Sequence, residues 1–118
     1  MAEKDTQAQK PENIEIDLNN VSPEDFKNYV FIDVRENQER ALEPFPIKNH
    51  LRVPLSEFDG DTSSFDKNKQ YLVVCAHGIR SYNLAAYFKD NGIAQAFSVP
   101  GGLYTLLQYC EKNSQILL

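Results

Sequence analysis

The sequence predicts an α/β domain, with a central parallel sheet flanked by helices, and three observations carry that expectation. Val30-Phe31-Ile32-Asp33-Val34 and Tyr71-Leu72-Val73-Val74-Cys75 are nearly continuous apolar runs, the composition of strands covered on both faces. Two stretches have helical periodicity. In residues 80–91, Leu84, Ala85 and Phe88 share one face and Gly92 stops the run, and further on Leu103, Leu106, Leu107 and Cys110 fall at i, i+3, i+4 and i+7. Strands separated by helices of this length imply crossover connections, which parallel pairing requires.

The remaining elements follow in chain order. Residues 1–12 are polar and are expected to be a disordered tail, which leaves 13–118 as one domain. Ile14 and Ile16 alternate with polar residues and predict a short edge strand. Ser22, Pro23 and Asp25 have the order of a helix start, with Ser at the N-cap and Pro in the first turn, and that helix ends near Asn28. Residues 35–50 carry Pro44 and Pro46 and read as irregular, with a helical turn at 37–42. A short strand is expected at 51–53, one turn at 56–58, a polar loop at 60–70, a strand at 94–99 and a turn at Pro100-Gly101-Gly102. Tyr87, Phe88, Phe97, the leucines of the last helix and Cys110 are expected in the core, and His50 at a surface or turn position.

Composition narrows the function. The chain has 118 residues, 42% of them apolar, enough for a single core that needs neither metal nor disulfides to fold. A net charge of -5 argues against binding nucleic acid or an anionic membrane non-specifically. The longest apolar run, 71–76, is far too short to span a bilayer, and the polar N-terminus has no apolar signal region. Two isolated cysteines make no disulfide framework, and there is no CxxC, HExxH or Cys/His cluster at metal spacing. The expectation is a reducing compartment, the cytoplasm.

The most informative stretch is Cys75-Ala76-His77-Gly78-Ile79-Arg80-Ser81. It joins a strand end to a helix start, where functional groups of parallel sheets gather. Helix N-terminal amides lack internal partners, and the dipole adds about half a positive charge. A loop wrapped around that end aims several donors at its centre and favours an anion there. A thiol so placed is drawn toward its nucleophilic thiolate. Gly78 permits a positive φ or a close approach. Arg80, always charged, can fork onto the anion or the loop carbonyls. A buried cysteine can also be a plain small hydrophobe; the glycine and arginine at these offsets, with a helix directly behind, favour the chemical role.

Cys75-x4-Arg80-Ser81 after an apolar strand resembles the active loop of rhodanese-like sulfurtransferases. The resemblance extends through Asp33-Val34-Arg35-Glu36, Glu39, Ile47, Val53-Pro54-Leu55 and Gly101-Gly102-Leu103, covering roughly residues 14 to 112. It implies a rhodanese-like fold and a persulfide cycle that needs no metal and no organic cofactor. Cys75 takes sulfane sulfur from thiosulfate or a cysteine desulfurase, Arg80 and the loop residues Ala76, His77, Gly78, Ile79 and Ser81 hold the anion, and a thiol or small sulfur-carrier protein accepts the sulfur. Asp33 and Arg35 are expected near the loop, either supporting it or serving as structural hydrogen-bond partners. Single domains of this kind also occur fused behind adenylylating enzymes that activate sulfur carriers. The sequence departs from the family pattern at Ala76, where many members active on thiosulfate carry a cation, which puts that donor in doubt; His77 can partly compensate. It departs again at Lys48-Asn49-His50 in place of Pro-Gly-Ala, where Asn49 tolerates left-handed geometry. Two other functions compete. A non-catalytic interaction module of the same fold would not need the cysteine that this chain keeps. A cysteine phosphatase or arsenate reductase would need a loop one residue longer, and the residue at that position is Ser81.

Overall fold

The computed structural model describes residues 14–114. Expectations for the 1–12 tail therefore lie outside the described residues. Four parallel strands, β1 (Val30–Asp33), β2 (Leu51–Arg52), β3 (Tyr71–Val74) and β4 (Ala96–Ser98), form one sheet in the order β2-β1-β3-β4. The helices are α1 (Pro23–Phe26), α2 (Asn37–Leu42), α3 (Ile79–Asp90) and α4 (Leu103–Lys112), with 3-10 turns at Leu18–Asn20 and Leu55–Glu57. The chain runs outward from β1 to β2 and then crosses back to β3, so the order reverses between β1 and β3. Their carboxyl ends face the crevice that such a reversal creates.

The apolar runs become β1 and β3 because both faces of the sheet are covered. Side chains alternate between faces along a strand. Phe31, Leu72 and Val74 therefore join Leu18, Phe26, Val99, Leu103, Leu106 and Tyr109 in one core. Ile32, Val34, Tyr71, Val73 and Cys75 join Leu84, Ala85, Phe88, Ile93 and Ala96 in the other. Cys75 is thereby committed to the face covered by α3. The helix starts follow their sequence signals: the Ser22 hydroxyl accepts from the Asp25 amide at 3.1 Å, and Glu36 and Glu39 form a reciprocal capping box at α2.

Several expectations need correction. The edge strand around Ile14 shrinks to a single parallel bridge between Glu15 and Ser98. Tyr87 is 39% exposed, because its hydroxyl donates to the Gly60 carbonyl at 2.7 Å and its ring needs only its edge against Phe58. On α4 the buried positions are Leu103, Leu106 and Tyr109. Cys110 is only half-buried, because the stacked Tyr109 and Phe26 rings, 4.5 Å between centroids, take the inner position. The turn near Asn49 is built without left-handed geometry: among the described residues every positive φ belongs to a glycine.

Candidate active site

The loop from β3 to α3 turns at Gly78, the N-cap of α3, whose φ of 98° an L side chain rarely adopts. A Cβ there would also meet the Gly101 amide nitrogen at 3.1 Å. The turn brings donors back onto the sulfur. The Gly78 amide donates to Cys75 Sγ at 2.9 Å and the Ser81 amide at 3.3 Å, while the Ser81 hydroxyl lies 3.3 Å from it. Ser81 Oγ is 2.7 Å from the Ser98 hydroxyl, which reaches the Gly78 carbonyl at 3.5 Å. A buried hydroxyl chain thus links the sulfur to β4. Beneath the loop, the Leu103 amide at the start of α4 donates to the Cys75 carbonyl at 2.9 Å. Gly102 packs so closely that a Cβ would fall 2.4 Å from that oxygen and 2.5 Å from the Ala76 oxygen.

Two influences oppose each other at the sulfur. Burial, at 1% exposure for Cys75, pushes the thiol up. The Ser81 hydroxyl and the amides of Ser81, Gly78 and His77 favour the anion and outweigh it, leaving the thiol below its ordinary value. Cys110 shows the contrast, since burial alone pushes its thiol up.

The hydrogen bonds of Arg80 go to a carboxylate. Its Nη1 and Nη2 fork onto Glu39 Oε1 and Oε2 at 2.8 and 2.7 Å, and the charge of Cys75 also acts on it. Glu39 is held to about 2, chiefly by that hydrogen-bonded guanidinium, with burial opposing and the Glu36 amide assisting. Glu36 in turn accepts from the Ser56 amide and hydroxyl at 3.1 and 2.6 Å.

Asp33 and Arg35 lie at the end of β1, with Asp33 in register with Val74, yet their hydrogen bonds go to each other rather than to the sulfur. Asp33 accepts from the Arg35 amide, Arg35 Nε, Arg35 Nη2 and Arg40 Nε at 3.0 to 3.1 Å. Arg35 Nη1 donates to the Glu43 carbonyl at 2.8 Å. Arg40 also donates to His50 Nε2 at 3.0 Å, so the His50 proton sits on Nδ1 and is given to the Ile47 carbonyl. Ala76 is half-buried, and His77 and Ile79 are exposed, Ile79 at 72%. One residue of the site escaped the sequence reading and another was noted without its role. Ser98 was signalled only by a serine inside an apolar strand, and Glu39, noted in the motif, gave no hint that it would hold Arg80.

A parallel α/β sheet with a cysteine at its switch point, under a loop that converges on the sulfur, defines a domain built around one thiol. The family model of the rhodanese-like domain matches residues 21–108, and the chain belongs to that family. The thiosulfate sulfurtransferase GlpE of Coxiella burnetii is 30% identical over 79 residues, covering 67% of this chain and 72% of that protein. The tRNA sulfurtransferase of Haemophilus influenzae is 30% identical over 70 residues, and the match covers 58% of this chain but only 14% of that much longer protein. Among solved structures, the rhodanese-related protein from Thermoplasma volcanium is 29% identical with a TM-score of 0.64, covering 84% of this chain and 92% of that one. Among the described residues no helix is long and apolar enough to cross a membrane.

Proposed function

We propose that the chain is a sulfurtransferase that carries sulfane sulfur as a persulfide on Cys75 and passes it to a thiophilic acceptor or a small sulfur-carrier protein. The observation that carries this reading is the convergence of the Ser81 hydroxyl and the Gly78 and Ser81 amides on Cys75 Sγ. Relatives named as sulfurtransferases support it. The Cys75 thiolate attacks the outer sulfur of the donor, a new S–S bond forms, and the donor's S–S bond breaks with its electron pair on the departing group. A thiosulfate donor leaves as sulfite and a persulfide donor as a thiolate. The acceptor then attacks the outer sulfur and Cys75 departs as the thiolate that the loop already favours, so no redox cofactor is consumed.

Mass spectrometry after incubation with thiosulfate or with a cysteine desulfurase and cysteine tests the reading. The expected result is a gain of one sulfur atom in the native protein and none in Cys75→Ser. No adduct from any donor, or full partner function in Cys75→Ala, overturns it in favour of a non-catalytic module.

A further inference from the structure

Two buried hydroxyls stand in a row behind the Cys75 sulfur. Ser81 and Ser98 are each 0% exposed. The Ser98 backbone is already paired, its amide donating to the Ile14 carbonyl and its carbonyl accepting from the Ile16 amide. Its side chain shares a face of β4 with Ala96, which packs in the core under α3. An alanine would fit that environment without a buried hydroxyl to satisfy.

The row can run in either direction. With Cys75 as a thiol, the S–H donates to Ser81 Oγ at 3.3 Å, Ser81 to Ser98 Oγ at 2.7 Å, and Ser98 to the Gly78 carbonyl at 3.5 Å. With Cys75 as a thiolate both hydroxyls reverse, Ser98 donating to Ser81 Oγ and Ser81 to the sulfur. The reversal is cheap at the far end. The Gly78 carbonyl gives up its longer contact and keeps the Tyr82 amide, which donates to it at 3.3 Å. Without Ser98, the Ser81 hydroxyl can turn instead to a carbonyl of the preceding turn, as serines within helices do. Donation from Ser98 also strengthens the bond beyond it, because hydrogen bonds in a row polarise one another.

Taking the sulfur-transfer reading as given, we propose that Ser98 is a positioning residue for that reaction: by donating to Ser81 Oγ it commits the Ser81 hydrogen to the sulfur whenever Cys75 carries charge. When an acceptor thiolate attacks the outer sulfur of the Cys75 persulfide, a new S–S bond forms, the old one breaks and its electron pair lands on Cys75 Sγ. The two hydroxyls turn to that charge as it develops. Each keeps its own proton, so no proton enters or leaves the site. Ser98 touches neither donor nor acceptor and acts through Ser81. Charged and titratable groups on the elements packed around the loop include Arg80 with Glu39, Asp33 with Arg35 and Arg40, His77, and Tyr104 in the first turn of α4. A change at Ser98 leaves all of these in place.

The test is the pH profile of alkylation by iodoacetamide, followed by mass spectrometry on the peptide that holds Cys75, in the native protein, Ser98→Ala, Ser81→Ala and the double variant. Ser98→Ala is expected to move the profile upward by about half a pH unit, equivalent to about threefold less thiolate near neutral pH. In the Ser81→Ala background the same change should add no further shift, because the hydroxyl it acts through is gone. An unmoved profile in Ser98→Ala, or an equal shift with and without the Ser81 hydroxyl, overturns the proposal. Should Ser98→Ala melt too early to measure, Ser98→Thr and Ser98→Val carry the same comparison, being alike in shape and differing in the hydroxyl. The Thr profile is expected to lie below the Val profile, and coincident profiles overturn the proposal. Alkylation needs no sulfur donor, so these outcomes stand apart from the loading experiment: failure here leaves the sulfur-transfer reading intact, and failure to load sulfur leaves the alkylation profiles to be read on their own.

Discussion

Two neighbouring strand ends solve the problem of a buried anion in different ways. At the end of β1, Asp33 receives four N–H donors, all from Arg35 and Arg40. At the end of β3, Cys75 Sγ accepts from two backbone amides and lies 3.3 Å from the Ser81 hydroxyl, while the arginine nearest in sequence is held by Glu39. Guanidiniums that fork onto a carboxylate saturate it and leave nothing to react. Amides and a hydroxyl favour a charge on sulfur without bringing a fixed cation to it. The difference separates a carboxylate saturated by guanidiniums from a sulfur held by its own loop.

The sharpest way to break this comparison is Asp33→Ala. It leaves Arg35, 1% exposed, without its counter-charge, at an expected cost of about 3–5 kcal/mol. Thermal melting should show a fall of more than about 10 °C; a change of a degree or two would mean that the cluster is not structural. Cys75→Ser is the complement, expected to abolish sulfur loading while the melting temperature barely moves. Gly102→Ala should damage both properties. Its φ of 67° and the 2.4 Å approach of a Cβ to the Cys75 oxygen force the floor of the loop to shift, at about 1–3 kcal/mol for the backbone strain alone, read as lower melting temperature and slower loading together. Ser81→Ala removes a hydroxyl that favours the anion, so the thiol rises. Alkylation of Cys75 by iodoacetamide should slow near neutral pH and its pH profile should move upward, while a profile identical to the native one would remove the hydroxyl from the account.

The smallest effect is expected at Glu39. Its folded value of about 2 lies below the ordinary 4.5, so its contribution to stability is present above about pH 4.5 and is lost as pH falls toward 2. Both partners are about a third exposed, at 34% each, so water screens the pair. Acid unfolding of Glu39→Gln should therefore show only a slightly shallower loss of stability across that interval. An unchanged slope would mean that the pair contributes nothing to folding.

What was legible in the sequence was whatever is local. The strand runs, the Ser22 cap and the Cys75-to-Ser81 loop each rest on neighbours a few residues apart, and the alternation of β3 alone decides which face the thiol meets. The parts that needed coordinates are pairings over long separations. Arg80 lies 41 residues from Glu39 in sequence, and a guanidinium beside a candidate nucleophile gives no sign of which anion it has chosen. Ser98 reads as an ordinary strand residue until β4 sets it against Ser81. On α4, helical spacing admits either Tyr109 or Cys110 at the inner edge, and the Phe26 ring decided it.

Residues 98–103 support the Cys75 loop from beneath and behind: the Ser98 hydroxyl, the Gly102 backbone and the Leu103 amide. A nascent chain that has emerged only through Phe97 already holds every residue of the Cys75-to-Ser81 motif and none of these supports. The donors that converge on Cys75 Sγ therefore rest on a segment made after them, and their support is complete only once β4 and the start of α4 have docked.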